Sequence, residues 1–427
     1  MAGDQDLHSN WARAVRGFDR NAYLLFATAG LLGFSYLGIT TLLTNLFISR
    51  LGYSTSIVGN LNALFYLLHM AASVPAGAIG MRMGGRRSLI LGGAIAVAGL
   101  ALAPVAFFLT SPGTRLTILI TSRLLASVGG ALVIVNSGPA LMGAVAPRDS
   151  TYAFAFSATT TSLTTFLGSI CGGFLPGLFA ALGHGGLASA EPYGMALWTA
   201  VLAVAPALLA LLLFRETGRG ASVTYESVQT RLPLALIALI AAVRFLRELG
   251  YGGIVTFFTL YLDTSLKLPT SSIGVLVSVA SAASIVFTPL MPLIARRWGT
   301  GRTTLASLIL MGLFALLMAA SRHWGTAAAG WAGMTAANTV NEAAMQVYVL
   351  GIVTPHWRAL MSGAANMATT LGLAVSASAG GYFIGTAGYA AMFAVSAALL
   401  FASSAAFAGH LFHRRFRAQD GVPSVAS

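Results

Sequence analysis

The sequence has very few charged residues and only one cysteine. Charged side chains make up 8% of the 427 residues, whereas a soluble globular chain carries about 25%. Hydrophobic residues make up 57%, so this composition excludes an ordinary soluble enzyme and a disordered protein. Because Cys171 is the single cysteine, the chain has neither a disulfide framework nor a metal site built from cysteines.

The sequence motifs of nucleotide and metal chemistry are also missing. The sequence contains no G-x-x-x-x-G-K-[ST] loop for ATP, no H-E-x-x-H motif and no Cys/His cluster. No loop between the apolar runs is long enough to form a soluble catalytic domain. We therefore expect no enzyme activity, no metal and no cofactor.

Long apolar runs, punctuated by glycine, proline and charge, fill most of the chain. A helix that crosses a bilayer needs about 20 apolar residues, and uninterrupted runs favour helices over barrel strands, in which polarity alternates. The runs predict twelve spans, at 22–48, 57–81, 88–109, 115–143, 152–182, 193–214, 232–262, 271–295, 303–321, 324–352, 358–386 and 388–411.

The basic residues between these runs indicate the orientation of the chain. With the N-terminus in the cytoplasm, 17 of the 24 basic residues fall on the cytoplasmic side and 4 on the opposite side, as expected for a membrane protein. The net charge of +13 is therefore a topology signal and no sign of nucleic-acid binding. We expect a multi-pass protein of a prokaryotic plasma (inner) membrane with both termini in the cytoplasm.

The two halves of the chain resemble each other. Residues 38–88 align with 253–303 without a gap at an offset of 215, and further on Gly172, Gly173 and Gly177 align with Gly380, Gly381 and Gly385 at an offset of 208. Two copies with six helices each have the same orientation in a membrane. The sequence therefore predicts an all-α integral membrane protein with twelve transmembrane helices, in two six-helix halves related by pseudo-two-fold symmetry.

The repeat also defines the domain boundaries that we expect. The N-terminal half covers 1–214 with a polar tail at 1–20, and the C-terminal half covers 232–427 with a polar tail at 412–427. The polar stretch 215–231 forms a cytoplasmic linker between the halves.

The loop after the second span resembles a motif of the major facilitator superfamily. That family carries G-x-x-x-D-x-x-G-R-R here, and the sequence reads Gly77-Ala-Ile-Gly-Met81-Arg82-Met-Gly84-Gly85-Arg86-Arg87. Met81 replaces the acid, and in the second copy Arg296 replaces it, so the family's lock of the outward-facing state lacks its carboxylate in both halves. The resemblance implies a role in conformational gating for Arg82, Gly84, Arg86, Arg87, Arg297 and Arg302.

Two further motifs extend the resemblance over nearly the whole chain. The family pattern R-x-x-x-G-x-G is similar to Arg123–Gly130, with Ser127 in place of the first glycine, and a Gly- and Pro-rich pattern of bacterial exporters is partly present at Gly168–Gly177. The resemblance implies a secondary transporter that works by alternating access. It also implies that the first, fourth, seventh and tenth helices line the central cavity.

Charged residues deep inside the spans fall on three of those four helices. The seventh span carries Arg244, Arg247 and Glu248, the tenth carries Glu342 and the fourth carries Arg123. Each charge needs a partner or a hydrated cavity, since a charge at the bilayer centre costs roughly 2.5–3.5 kcal/mol on insertion scales. Arg244 and Glu248 are four residues apart and able to pair on one helix face.

These residues are the candidates for the chemistry of transport. We expect Glu248 and Glu342 to exchange protons, because they are the only carboxylates near the middle of the membrane. The alternatives are that Arg244 and Glu248 form a purely structural pair and that Arg123 only anchors its helix. The candidate substrate-binding residues are Arg123, Arg244, Arg247, Asn338, Asn341, Gln346, Tyr36 and Asn45.

The sequence favours proton-coupled export of a small amphipathic or drug-like organic molecule. The alternative is proton-coupled uptake of an organic anion or sugar, which the arginines of the seventh span favour. A non-transporting membrane receptor or scaffold is the alternative from another class. The expected partners are a small-molecule substrate, protons and the lipid bilayer, with no nucleic acid, and the expected state is a monomer.

Overall fold

The computed structural model describes residues 17–146, 149–215, 234–353 and 357–419, and most of these residues are helical. We number the helices α1 to α12. The first ten are Arg20–Arg50, Thr55–Met83, Gly85–Val105, Pro112–Ala144, Ser150–Ala181, Glu191–Leu213, Leu234–Thr264, Thr270–Trp298, Thr300–Ala319 and Trp324–Ile352. The last helical stretch, Arg358–Gln419, is interrupted at Gly388, where φ is +79°, and we name its two parts α11 (358–387) and α12 (389–419).

The predicted all-helical membrane architecture is confirmed. The ends of α1 to α10 lie within four residues of the predicted ends, and the break at Gly388 coincides with the start of the last predicted span. Apart from Arg215, the predicted linker 215–231 lies outside the described residues, and so does most of each polar tail. The domain boundaries therefore stay a prediction.

Nine helical stretches among the described residues are long and apolar enough to cross a membrane. Helices α7 and α10 are not among them. Helix α7 carries Arg244, Arg247 and Glu248 close together, and α10 carries Glu342 among amide side chains. The same polar residues that lower the apolar character of these two helices are those that the sequence selects as candidates for function.

Helix α1 contains a π-helical segment at Gly33–Thr40. The backbone N–H of Thr41 donates to Tyr36 O, five residues back, and the hydroxyls of Thr40 and Thr41 donate to Ser35 O and Tyr36 O, both at 3.0 Å. The segment packs on α5, where the hydroxyl of Thr165 donates to Gly33 O at 3.2 Å. The sequence analysis did not predict this widened turn, which interrupts the regular α-helical register.

The contacts divide the chain into two compact units. Unit 1 comprises Met1–Gly52, Leu68–Val223 and Pro269–Ser281, and unit 2 comprises Tyr53–Leu67, Thr224–Leu268 and Ala282–Ser427. The first part of α2 thus belongs to unit 2, and the first part of α8 belongs to unit 1. These two exchanged segments are repeat-related, since they are separated by the same offset of about 215 residues.

Glycines allow close backbone contact where the exchanged segments pack. In unit 2, a Cβ at Gly59 would collide with the backbone oxygen of Ala377, and in unit 1 a Cβ at Gly173 would lie 2.8 Å from the Cα of Gly274. Gly59 and Gly274 are 215 residues apart and thus occupy equivalent positions of the repeat. Each unit therefore uses the same glycine position for the same kind of helix contact.

The backbone before α3 and α9 also follows the repeat. Gly84 and Gly299, 215 residues apart, precede these helices with φ of +84° and +80°. Only glycine adopts this conformation without strain. The internal duplication inferred from the sequence is thus present in the backbone geometry.

Candidate functional site

Within unit 2, α7 and α10 bring four charged side chains together. Arg247 Nη2 pairs with Oε1 of Glu248 and also with Oε1 of Glu342, while Arg244 Nη1 lies 3.2 Å from Oε2 of Glu342. With both carboxylates ionised, the two positive and two negative charges balance. The structure therefore joins all the deeply placed charges of the seventh and tenth spans in one network.

The expected pairing of Arg244 with Glu248 is wrong. Glu248 pairs with its neighbour Arg247, and Arg244 reaches across to Glu342 of α10. A spacing of four residues indicates partners on the same helix only, whereas Glu342 on the facing helix pairs with Arg244 and shares Arg247 with Glu248. Glu342, which has no basic residue nearby on its own helix, is held by two arginines from α7.

Asn341 fixes the position of Arg247. Its Oδ1 accepts a hydrogen bond of 2.9 Å from Arg247 Nη1, and its Nδ2 donates to Thr304 O at 3.1 Å and to Ser307 Oγ at 2.8 Å. The residue is fully buried. Because α9 occupies both amide hydrogens, the amide oxygen has to face Arg247.

Helices α11 and α12 hold α7 from other directions. A Cβ at Gly372 of α11 would lie 2.8 Å from the Cβ of Glu248, so only a glycine fits there without displacement. The hydroxyl of Ser376 donates to Leu249 O at 2.7 Å, and that of Ser403 donates to Val243 O at 2.8 Å. The backbone that carries the network is thus anchored on both sides of Glu248.

The two carboxylates differ in exposure. The side chain of Glu248 is 3% exposed and that of Arg247 is 2% exposed, whereas the side chain of Glu342 is 42% exposed. Arg244 is also largely buried. Glu342 is therefore the accessible carboxylate of the network, and Glu248 is sealed within the helix packing.

Several buried polar atoms of α7 and α10 have no hydrogen-bond partner in the described part of the chain. They include the Nε atoms of Arg244 and Arg247, Oδ1 of Asn338 and Nε1 of Trp331. An unsatisfied buried group costs about 1–3 kcal/mol, so native structures retain few of them. Their concentration on these two helices is consistent with a place where a ligand or water supplies the missing partners.

An aromatic stack joins the same two helices at a second level, which the sequence analysis did not predict. The rings of Phe258 and Trp331 are stacked with centroids 4.4 Å apart and planes inclined by 14°. Each lies eleven residues from a member of the network, Arg247 and Glu342 respectively, which is about three helical turns. This shared spacing is the signal in the sequence that could have predicted the stack.

The other predicted binding residues are more dispersed. Gln346 is exposed on α10, and Asn338 is partly buried one turn from Glu342. Tyr36, Asn45 and Arg123 belong to unit 1, where Tyr36 lies in the π-helical segment of α1 and Asn45 is buried. The network itself therefore contains Arg244, Arg247 and Asn341 of the predicted binding residues, together with both predicted proton-coupling residues.

Among the predicted gating residues, Arg86 has a defined structural role. Its Nη2 donates to Leu212 O at 2.7 Å and its Nε donates to Phe214 O, so the guanidinium caps the C-terminal end of α6. Gly84 supplies the positive φ described above. The remaining four, Arg82, Arg87, Arg297 and Arg302, are exposed.

Comparisons with known proteins agree with this architecture. The family model of the Major Facilitator Superfamily matches residues 240–426, and transporter structures of the same fold match about nine tenths of the chain. Residues 240–426 are thus similar to this superfamily, and the chain shares the fold of the matched transporter structures. The nine long apolar helical stretches of the described residues agree with a multi-pass membrane protein of this fold.

Three solved structures show the extent of the similarity. A bacterial homologue of the human lysosomal transporter Spinster has 14% identity and a TM-score of 0.70, with 91% of this chain and 96% of that chain covered. The nucleoside transporter NupG has 16% identity and a TM-score of 0.68, with 91% and 98% covered. A D-xylose–proton symporter has 14% identity and a TM-score of 0.70, with 89% and 96% covered. A search of curated proteins finds no significant match.

Proposed function

We propose that this chain is a proton-coupled transporter of the Major Facilitator Superfamily and that Glu342 is the residue that exchanges the proton. The observation that carries the proposal is the difference in exposure between the two intramembrane carboxylates. The side chain of Glu342 is 42% exposed and that of Glu248 is 3% exposed. A carboxylate that loads and releases protons in each cycle has to be reached by water.

For Glu248 we propose a different role, the compensation of the Arg247 charge. The pair is buried, and Gly372 packs directly against the Cβ of Glu248. A buried arginine without a counter-charge is strongly destabilising. Glu248 therefore keeps Arg247 in the membrane interior while Glu342 changes its protonation state.

For the setting and direction, we propose alternating access in a prokaryotic plasma membrane with both termini in the cytoplasm. The exporter-like stretch Gly168–Gly177 supports export of an amphipathic or drug-like molecule. The two arginines in contact with Glu342 favour the second candidate, proton-coupled uptake of an organic anion. A non-transporting receptor has no need for an accessible carboxylate held between two arginines.

Proteoliposomes loaded with a pH-sensitive dye test the proton coupling. The full chain is reconstituted, and compounds that raise its melting temperature in a metabolite and drug screen are added outside. We expect the internal pH to change with substrate addition, downward for cotransport and upward for exchange. Glu342→Gln should abolish this change, whereas Glu191→Gln, a variant of a carboxylate in the first turn of α6, should retain it.

Two results would contradict this proposal. Proton coupling is excluded if substrate flux occurs without a pH change in the wild type. Glu342 is excluded as the coupling residue if proton movement continues in Glu342→Gln at the rate of the wild type.

A further inference from the structure

We propose that Arg244 and Arg247 form a binding site for an anionic group, which becomes available when Glu342 takes up a proton. The substrate class is then an organic anion with a carboxylate, sulfonate or phosphate group. This inference rests on the proposed role of Glu342 and adds the identity of the charged group that the site binds.

The charge balance of the network is the first argument. With Glu342 ionised, two arginines and two glutamates sum to zero, and protonation of Glu342 leaves one positive charge in excess. The guanidinium groups do not release protons to restore neutrality. Because an uncompensated buried charge is costly, an anion that enters the site restores the balance, so the proton and the anion favour each other's binding.

Arg244 and Arg247 differ in the number of hydrogen bonds that hold them. Arg247 keeps its hydrogen bond to Asn341 and its pair with Glu248 when Glu342 is protonated. In the described part of the chain, Arg244 hydrogen bonds only to Glu342, and its Nε is buried without a partner. Protonation therefore releases Arg244 while Arg247 stays in place, and a planar guanidinium with free donors is suited to bind a carboxylate or phosphate.

Among the described residues, the surroundings of the network offer no other counter-charge. The charged or titratable side chains that interact with Glu342 are Arg244, Arg247 and Tyr251, all from α7. Where α9, α11 and α12 pack against the described network they contribute uncharged residues, namely Thr304, Ser307, Gly372, Ser376 and Ser403. The excess positive charge of the protonated state can therefore be balanced by a ligand.

A cationic substrate would be repelled in the protonated state by the same two arginines. An anion and a proton that favour each other's binding cross the membrane together. The inferred site thus selects cotransport over exchange, and an inward proton gradient then drives uptake. This outcome corresponds to the second candidate of the proposed function.

Binding of benzoate to the full chain in detergent tests the inference without any transport measurement. Affinity is measured by equilibrium dialysis at pH 7.5 and pH 5.5, with the neutral benzamide as the matched compound. Glu342→Gln resembles the protonated state, so it should bind benzoate about tenfold more tightly than the wild type at pH 7.5, within the usual range of coupling between two sites. The affinity of Glu342→Gln for benzoate should be the same at the two pH values, because the variant has no carboxylate at this position to titrate.

Two control variants define the site. Glu342→Gln/Arg244→Gln should lose the gain in benzoate affinity, and Glu191→Gln should behave as the wild type. Melting temperatures verify that each variant is folded. The inference is overturned if Glu342→Gln binds benzoate no more tightly than the wild type, or if benzamide binds equally well.

The two proposals can fail separately. Loss of proton movement in Glu342→Gln without a gain in benzoate affinity would contradict the anion site alone. A gain in benzoate affinity with unchanged proton movement would contradict the coupling role of Glu342 alone.

Discussion

Asn341 Oδ1 accepts a hydrogen bond of 2.9 Å from Arg247 Nη1, and this contact connects the charged network to α9. Without it, the position of Arg247 would depend on the two carboxylates alone. One of these, Glu342, changes its charge in the proposed cycle. The amide thus gives Arg247 a fixed reference that is independent of protonation.

Replacement of Asn341 should therefore destabilise the protein and disturb the site. Asn341→Ala removes three hydrogen bonds, and we expect the free energy of unfolding to fall by about 1–3 kcal/mol because buried partners are left unsatisfied. Thermal unfolding in detergent measures this change. Asn338→Ala is the matched control on the same helix, since the Oδ1 of Asn338 has no partner to lose, and an equal loss of stability in the two variants would contradict the assigned role.

Replacing Arg247 alone should lower the free energy of unfolding more than replacing Arg247 and Glu248 together. Arg247→Met leaves Glu248 charged and buried, for which a loss of about 3–5 kcal/mol in unfolding free energy is typical. Adding Glu248→Gln should recover part of that stability, because the buried charge is removed. Chemical denaturation of both variants provides the comparison. A double variant that is no more stable than Arg247→Met would disprove charge compensation by Glu248.

The repeat-related glycines should be intolerant of alanine. A Cβ at Gly59 would collide with Ala377 O, and a Cβ at Gly274 would lie 2.6 Å from the Cα of Gly173, so we expect lower melting temperatures for Gly59→Ala and Gly274→Ala. Gly177 has open space around its Cβ position. Gly177→Ala should leave the melting temperature unchanged or raise it, because alanine is the better helix former by about 1 kcal/mol. The same response in all three variants would argue against close packing at the two glycines.

The capping of α6 by Arg86 should be visible in hydrogen exchange. Arg86→Gln removes charged donors from Leu212 O and Phe214 O, which should accelerate amide exchange at the end of α6. Arg87→Gln alters an exposed neighbour and serves as the control. Mass spectrometry of peptides that cover the end of α6 measures the effect, and equal exchange in both variants would contradict the capping role.

The spans were predictable because apolar runs, and the glycine, proline and charged residues that end them, are local features of the sequence. Each helix end depends on residues that are close in sequence, so the predicted ends of α1 to α10 were accurate. The positive φ at Gly84 and Gly299 and the break at Gly388 also coincide with glycines that interrupt apolar runs. Local signals of this kind are strong in membrane helices, since the backbone has to satisfy its own hydrogen bonds.

The pairing within the site was not predictable in the same way. Arg244 meets Glu342 across 98 positions of sequence, and helix geometry alone gives no information on which facing helix supplies the partner. The sequence selected Arg247, Glu248 and Glu342 as candidates because charges inside spans are rare, and the structure brings these three side chains into contact. The sequence could not predict which of the two glutamates is accessible, since their exposure depends on packing by Gly372 and the neighbouring helices.

The π-helical segment Gly33–Thr40 makes α1 the span that can absorb a change of length. In a regular helix, deletion of one residue rotates everything beyond it by about 100° and would turn buried side chains towards lipid. In α1 the same deletion would convert the wide turn into ordinary α-helix and leave the flanking turns facing their present neighbours. Natural relatives and engineered variants should therefore accommodate single-residue shortening here more readily than in any regular span.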